Sequence, residues 1–270
     1  MKFYQKHAII TGGSSGIGKA TAILLANQGA SITIIARDRD RLEKAKVEIE
    51  AARVSPEQQI ICISASVTEQ IQIEQAITQA VEEIGTPDIL ITSAGIAHPG
   101  YFDELSLEVF EETMKINYFG TLYAIKSVLP LMIEKQQGHI VIISSGAGLI
   151  GIYGYTPYSP SKFALRGLAE SLRGEIQPQG INISIVYPPD TDTPQLAAEN
   201  LTKPPETKLI TGSAKTWSAE GVAKVILTGI KRKDFVITPG LEMKLLQVLH
   251  SLLAPILNWY FDGIVKKVGR

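Results

Sequence analysis

The chain has 270 residues, 45% hydrophobic and 20% charged, an ordinary globular composition long enough for one large α/β domain. A formal net charge of −1 carries no nucleic-acid signal. The single cysteine, in Ile60-Ile-Cys-Ile63, excludes an internal disulfide and a cysteine-based metal site and reads as a buried strand thiol.

Near the N-terminus, Ala8-Ile-Ile10 is too short an apolar run for a signal peptide, so a cytosolic location is expected. Residues 6–10 read as a short buried strand. It leads into Thr11-Gly12-Gly13-Ser14-Ser15-Gly16-Ile17-Gly18 and a helical pattern over 20–26. Strand, glycine turn and helix form the context a dinucleotide requires. Glycines allow tight turns and close backbone approach to a pyrophosphate, and the helix N-terminus offers free N–H groups. The spacing is G-x-x-x-G-x-G rather than G-x-G-x-x-G, and glycine turns also occur without a ligand. Residues 31–36 are the second strand, ending in Ala36-Arg37. NAD-binding folds place an acid here, on the ribose 2′-hydroxyl. An arginine bonds a 2′-phosphate that an acid would repel, so Arg37 favours NADP. Asp38 keeps NAD open, and residues 37–40 also fit a solvated helix start.

Residues 40–52 are a charged helix and 59–64 a third strand. Ile73, Ala76, Ile77, Ala80 and Val81 define one face of a helix over 69–84. Residues 88–92 are a fourth strand, ending in Ser93-Ala94-Gly95, small enough for a cofactor to lie across the strand ends. Ser106 reads as the cap of a long helix from 107 to about 134. That helix carries Asn117, which when buried needs partners, either backbone or a held water. The fifth strand, 140–145, ends in Ser145. After a glycine-rich turn, Tyr158-Ser-Pro-Ser-Lys162 opens an amphipathic helix to 176. Pro160 falls in its first turn, where proline is tolerated. Tyr158 and Lys162, four apart, share a helix face. An ammonium beside a phenol stabilises phenolate, so Lys162 is expected to draw the Tyr158 pKa down from about 10 toward the range of a general acid. Ser145 offers a hydroxyl to the oxygen that Tyr158 would protonate. In a chain with nine tyrosines, Tyr-x-x-x-Lys also arises by chance, and its weight comes from the motifs around it.

Residues 182–187 are a sixth strand, broken by Pro188-Pro189-Asp190-Thr-Asp-Thr-Pro194. Residues 197–216 are polar and weakly patterned and read as a mobile flap over the site. A helix over 218–230 and a seventh strand over 234–238 follow. Strands and helices alternate without a linker. This predicts a single doubly wound α/β Rossmann domain over 1–240, with a central parallel sheet of about seven strands. Residues 241–270 read as an apolar helical extension. Leu241, Leu245, Val248, Leu249, Leu252, Ile256 and Trp259 recur at helical spacing, and 245–261 lack charged side chains. That run is at the low edge for a membrane span, and Pro255 interrupts it. Trp259-Tyr-Phe261 beside Lys266, Lys267 and Arg270 suits a membrane interface. Two readings stand: a peripheral anchor on the cytosolic face of a membrane, or a helix packed on the protein or on a second subunit.

Together these residues resemble the short-chain dehydrogenase/reductase superfamily over residues 6–238. The glycine motif falls on Gly12, Gly16 and Gly18, and an Asn-Ser-Tyr-Lys tetrad on Asn117, Ser145, Tyr158 and Lys162. The resemblance implies carbonyl reduction with NADPH/NADP and no metal. Tyr158 would give the proton, and Lys162 would tune Tyr158 and bond the nicotinamide ribose. Ser145 would hold the carbonyl oxygen, and Asn117 a relay water. Cofactor contacts are implied for Gly12, Ser14, Ser15, Gly16, Ile17, Gly18, Arg37, Ser66, Val67, Ala94, Gly95, Tyr158, Lys162, Pro188, Asp190, Thr191 and Thr193. A homodimer or homotetramer through the helices bearing Asn117 and Tyr158 is implied as well. The chain departs from the superfamily in three places. Ser66 stands where an acid often bonds the adenine amino group, Ser93 replaces an Asn, and Pro160 replaces an Ala.

A narrower resemblance rests on the runs 158–170, 187–194 and 202–208. These look like the 3-ketodihydrosphingosine reductase family, which reduces the ketone of a long-chain sphingoid base with NADPH, and imply a lipid ketone substrate. Another apolar ketone, a 3-ketoacyl chain or a steroid-like ring, stays open because one scaffold serves many substrates. A non-catalytic NADP-binding regulator is the remaining alternative, and the intact tetrad argues against it.

Overall fold

The structure is a computed structural model that describes residues 3–212 and 215–268. Ser213 and Ala214, within the expected flap over 197–216, and Arg270 of the basic cluster lie outside the described residues. The elements run β1 (His7–Thr11), α1 (Gly16–Ala26), β2 (Ser31–Ala36), α2 (Arg39–Ala51), β3 (Ile60–Ser64), α3 (Gln70–Ile84) and β4 (Ile89–Thr92). Then come α4 (Leu107–Met114), α5 (Gly120–Glu134), β5 (Gly138–Ile143), α6 (Tyr158–Ile176) and β6 (Ile181–Val186). The chain continues through β7 (Thr191–Asp192), α7 (Pro194–Thr202), α8 (Pro205–Thr211), β8 (Trp217–Ser218), α9 (Ala219–Arg232), β9 (Val236–Ile237) and α10 (Gly240–Val268).

Seven strands form one parallel sheet in the order β3-β2-β1-β4-β5-β6-β9. Runs of Ile and Val make these strands because both sheet faces are covered, so no polar alternation is needed. Successive side chains point to opposite faces. Ile9, Leu90, Ile140, Ile142 and Ile185 pack toward α3, α5 and α6. Ala8, Ile10, Ile91, Val141 and Ile143 pack toward α1, α2 and α9. The strand order reverses between β1 and β4, which opens a crevice at their carboxyl ends.

At the opposite end of the sheet, Asp88 ties three elements together. Its carboxylate accepts from the His7 backbone N–H at 3.0 Å, Lys6 at 3.0 Å, Lys135 at 3.1 Å and Gln137 at 3.0 Å. Burial pushes the Asp88 pKa up, but the bonds from His7, Lys6 and Lys135 outweigh it and hold the carboxyl below its ordinary value. A depressed folded pKa contributes stability above the unfolded value, and that contribution is lost as pH falls through the folded one. Asp88→Ala strands the buried His7 N–H and should cost about 1–3 kcal/mol. Acid titration of thermal melts checks the pairing: the variant's deficit should shrink as pH drops below the carboxylate range.

The structure corrects several expectations. The helix over 107–134 is not uniformly α-helical: Lys115–Phe119 form a π-turn between α4 and α5. Ser106 sits at the N-cap of α4 without bonding a backbone N–H through its side chain; it bonds Glu108 instead. Cys62 is half-buried, its Sγ 3.3 Å from Glu43 Oε1, with burial the main cause of a thiol pKa pushed up to about 11. Pro255 does not break α10, which continues through it.

The largest correction concerns residues 197–216, which are not an irregular flap. They fall largely within α7 and α8, in which Glu199, Glu206 and Thr207 are buried, as is Lys203 at the joint. These side chains find partners in other loops: Tyr155 to Glu199, Lys203 to Asp190, Tyr101 to Glu206 and Thr207 to the Tyr153 carbonyl. Met243 at the start of α10 is buried, and Leu246 packs on the same core. Leu241, Leu245, Val248, Leu252, Ile256 and Trp259 instead face solvent.

Candidate active site

A cleft of about 520 Å³ runs along the carboxyl ends of the strands. Its floor begins at the turn after β1. Gly12 takes a φ of +71°, and a Cβ there would lie 2.5 Å from the Ala94 nitrogen. Only glycine lets this turn close against the end of β4. Ser15, the N-cap of α1, leaves the first N–H groups of that helix without a side-chain partner. The helix start is therefore open to an anion. Gly12, Ser14, Ser15, Gly16 and Ile17 line the cleft. Gly18 does not; a Cβ there would meet the Gly12 carbonyl oxygen at 2.4 Å, so it lets α1 pack beneath the turn.

Arg37 and Asp38 stand at one end of the cleft, joined by Arg41. Asp38 is engaged as the N-cap of α2. Its carboxylate accepts from the Arg41 backbone N–H at 3.0 Å and pairs with Arg41 Nε at 3.3 Å. Ser66, Val67, Ala94 and Gly95 form the middle of the cleft, and Pro188, Asp190, Thr191 and Thr193 its far wall. These are the residues expected to touch a cofactor, drawn together from five separate loops.

Ser145, Tyr158 and Lys162 meet at the inner end. Ser145 caps the short turn Gly146–Gly148 through a bond from the Ala147 N–H at 3.2 Å. Tyr158 and Lys162 are both buried, one turn apart at the start of α6. Lys162 Nζ lies 5.5 Å from the Tyr158 ring centroid and donates to the Ile143 carbonyl at 3.0 Å. Asn117 does not line the cleft. Its side chain accepts from the Ile96 N–H at 2.9 Å and donates to the Ile96 carbonyl at 3.0 Å and to Ser161 Oγ at 2.9 Å. Its carboxamide thus clamps the loop after β4 to α6 from behind.

The electrostatics correct a second expectation. Burial raises the Tyr158 pKa, Glu199 and Asp190 raise it further, and hydrogen bonds from Ser145 and Gln195 lower it only in part. Lys162 is not among the groups that lower it; its ammonium donates to the Ile143 carbonyl at 3.0 Å and lies 5.5 Å from the ring centroid. Burial in turn lowers Lys162 to about 8, with Glu199 opposing.

Tyr155, Gln195 and Glu199 are among the cleft residues that were not expected. Tyr155 packs on Tyr158 with ring centroids 5.6 Å apart and donates to Glu199 Oε2 at 2.6 Å. The only trace of Glu199 in the sequence is a lone carboxylate after Leu196-Ala-Ala. Among the described residues there is no group of three or more His, Cys, Asp or Glu arranged to hold a metal ion.

Comparison with known proteins places this geometry. The family model for short chain dehydrogenase matches residues 6–204. A 3-ketodihydrosphingosine reductase of Bos taurus is 44% identical over 93% of this chain and 76% of its own. One of Dictyostelium discoideum is 45% identical over the whole chain and 85% of its own. In fold, a short-chain dehydrogenase/reductase from Burkholderia phymatum, solved in complex with NAD, superposes with a TM-score of 0.81 at 23% identity, over 94% of this chain and 97% of that one. The protein is therefore an oxidoreductase of carbonyl and hydroxyl carbons that uses a nicotinamide dinucleotide. The chain belongs to the short-chain dehydrogenase/reductase family, and within it resembles the 3-ketodihydrosphingosine reductases.

Proposed function

We propose that this protein reduces the ketone of 3-ketodihydrosphingosine to dihydrosphingosine with NADPH. The observation that carries this reading is the 44–45% identity, across nearly the full chain, to reductases of that name, combined with Ser145, Tyr158 and Lys162 in one cleft. The cleft suits a dinucleotide: a glycine turn without room for a Cβ, an open helix N-terminus, and Arg37 at the far end.

NADPH, when bound, supplies the hydride to the ketone carbon. Ser145 orients the carbonyl oxygen by donating a hydrogen bond to it. Tyr158, kept protonated by its burial, gives its proton to that oxygen as it becomes alkoxide, a stronger base than phenolate. Lys162 then stabilises the phenolate, and its second role is to hold the nicotinamide ribose. Asn117 acts behind them, fixing Ile96 and α6 so that the π-turn and the loop after β4 keep their register. The test is purified protein with NADPH and a panel of ketones that includes 3-ketodihydrosphingosine, with the product identified by mass. Absence of dihydrosphingosine would end this assignment.

The preference for NADPH over NADH rests on Arg37, since the Asp38 carboxylate is occupied by α2. A hydrogen bond to a charged group is worth about 1.5–3 kcal/mol. Arg37→Ala should therefore weaken NADPH binding roughly tenfold to a hundredfold and leave NADH nearly unchanged. Equal losses for both cofactors in a fluorescence titration would make Arg37 structural.

Residues 1–240 form the catalytic domain in this reading, and residues 241–270 place it on the cytosolic face of a membrane. Two facts support this. The apolar stripe of α10 faces solvent, and Met243 at its root approaches Gly146 beside Ser145, Cε lying 3.1 Å from where a Gly146 Cβ would sit. Replacing Leu245, Val248, Leu252 and Ile256 by serine should abolish pelleting with liposomes while NADPH binding survives. Retained pelleting would remove the stripe from this role. Phe119 and Phe163, both exposed, lie on the helical faces through which a homodimer or homotetramer would pair.

A further inference from the structure

Glu199 is 7% exposed yet lines the cleft beside Tyr158. Its two carboxylate oxygens accept from Tyr155 Oη at 2.6 Å and Gln195 Nε2 at 2.8 Å. Both donors are neutral, and a carboxylate has about four lone-pair sites. The nearby cations are otherwise engaged. Lys203 pairs with Asp190 at 3.5 Å, and Lys162 donates to the Ile143 carbonyl. No salt bridge to Glu199 exists among the described residues. A buried carboxylate without a cation is costly unless something brings the opposite charge.

The position of this carboxylate relative to the reacting atoms is defined by two side chains. Gln195 bonds both Glu199 and the Tyr158 hydroxyl. Tyr155 bonds Glu199 and stacks beside the Tyr158 ring. The carboxylate therefore lies one side chain from the hydroxyl. Glu199 is also the charge that acts most strongly on both Tyr158 and Lys162. In a sphingoid ketone the protonated amine is borne by the carbon next to the carbonyl. With the carbonyl oxygen on Tyr158 and the amine-bearing end turned toward α7, that ammonium comes within reach of Glu199.

We propose that Glu199 receives the substrate's ammonium group and so selects amino ketones over neutral ketones of the same length. This rests on the substrate reading above and adds the residue that makes the amine a requirement. Tyr155 and Gln195 are positioning residues: they hold the carboxylate in the wall of the cleft and leave its remaining lone pairs for the substrate.

The experiment compares 3-ketodihydrosphingosine with its amine-free counterpart, of equal chain length and with the same hydroxymethyl end, at saturating NADPH. The wild-type enzyme should favour the amino ketone in kcat/KM by roughly tenfold to a hundredfold, as expected for a charge-assisted hydrogen bond. Glu199→Gln, which keeps the shape and an acceptor for Tyr155, should collapse that ratio, chiefly through KM. Glu199→Asp, which keeps the charge, should restore part of it. A ratio that survives Glu199→Gln, or an equal loss for both ketones, would make Glu199 a strut for α7 and overturn the proposal while leaving the substrate reading intact. Wild-type enzyme that turns over neither long-chain ketone overturns both. Should Glu199→Gln fail to bind NADPH, the wild-type comparison decides without it. Absence of an amine preference, in turnover and in inhibition by dihydrosphingosine against the amine-free diol, overturns the proposal.

Discussion

Tyr158→Phe should lower turnover by roughly 10²- to 10⁴-fold, the usual worth of general acid catalysis, while NADPH still binds. The substitution keeps the ring that packs at 5.6 Å against Tyr155 and removes only the hydroxyl. The cleft should therefore keep its shape, and Lys162 its bond to Ile143. What is lost is the single proton poised at the carbonyl oxygen. Because burial and the carboxylates of Glu199 and Asp190 raise the Tyr158 pKa, the phenol is fully in its donor form across the neutral range. The variant should then show the same deficit from mildly acid to neutral pH. Steady-state NADPH oxidation together with a cofactor-binding titration checks both halves. Near-normal turnover would take Tyr158 out of the proton step.

Catalytic efficiency should rise steeply with the alkyl chain of the ketone. Each buried methylene contributes about 0.8 kcal/mol, which is roughly fourfold in kcat/KM. Four further methylenes would then be worth on the order of two-hundredfold. The wall that would take the chain is apolar: Ala97, Ala147, Ile152 and Tyr155 cluster around Tyr158, and Leu196 and Ala198 line the same cleft. This wall adjoins the turn after Ser145, where Met243 joins α10 to the domain. A homologous ketone series, assayed below the concentration at which the longer members aggregate, gives the slope. Efficiency that stays flat from short to long chains would point to a compact ketone instead of a lipid.

The local parts of this protein are written in local residue patterns. The second strand and the helix Tyr158–Ile176 are found where the sequence puts them. Buried parallel strands require continuous Ile and Val runs, and the helix shows its apolar face at regular spacing. The glycine turn is equally legible, because Gly12 adopts a backbone that only glycine takes at no cost. The alternation of such units suffices to imply the doubly wound sheet.

Tertiary structure alone decided the rest, because it depends on partners distant in the chain. Lys203, Glu206 and Thr207 look like solvated polar residues in sequence, yet each is buried by a partner many residues away. No periodicity registers a buried ion pair, so α7 and α8 read as a flap. Asn117 is a clamp only because Ile96 and Ser161 come to it. The direction in which the stripe of α10 faces is a matter of what packs on its other side, here Met243 and Leu246. The spacing of Tyr158 and Lys162 predicts their neighbourhood but not their charge balance. That balance follows from burial and from Glu199, which arrives from another helix.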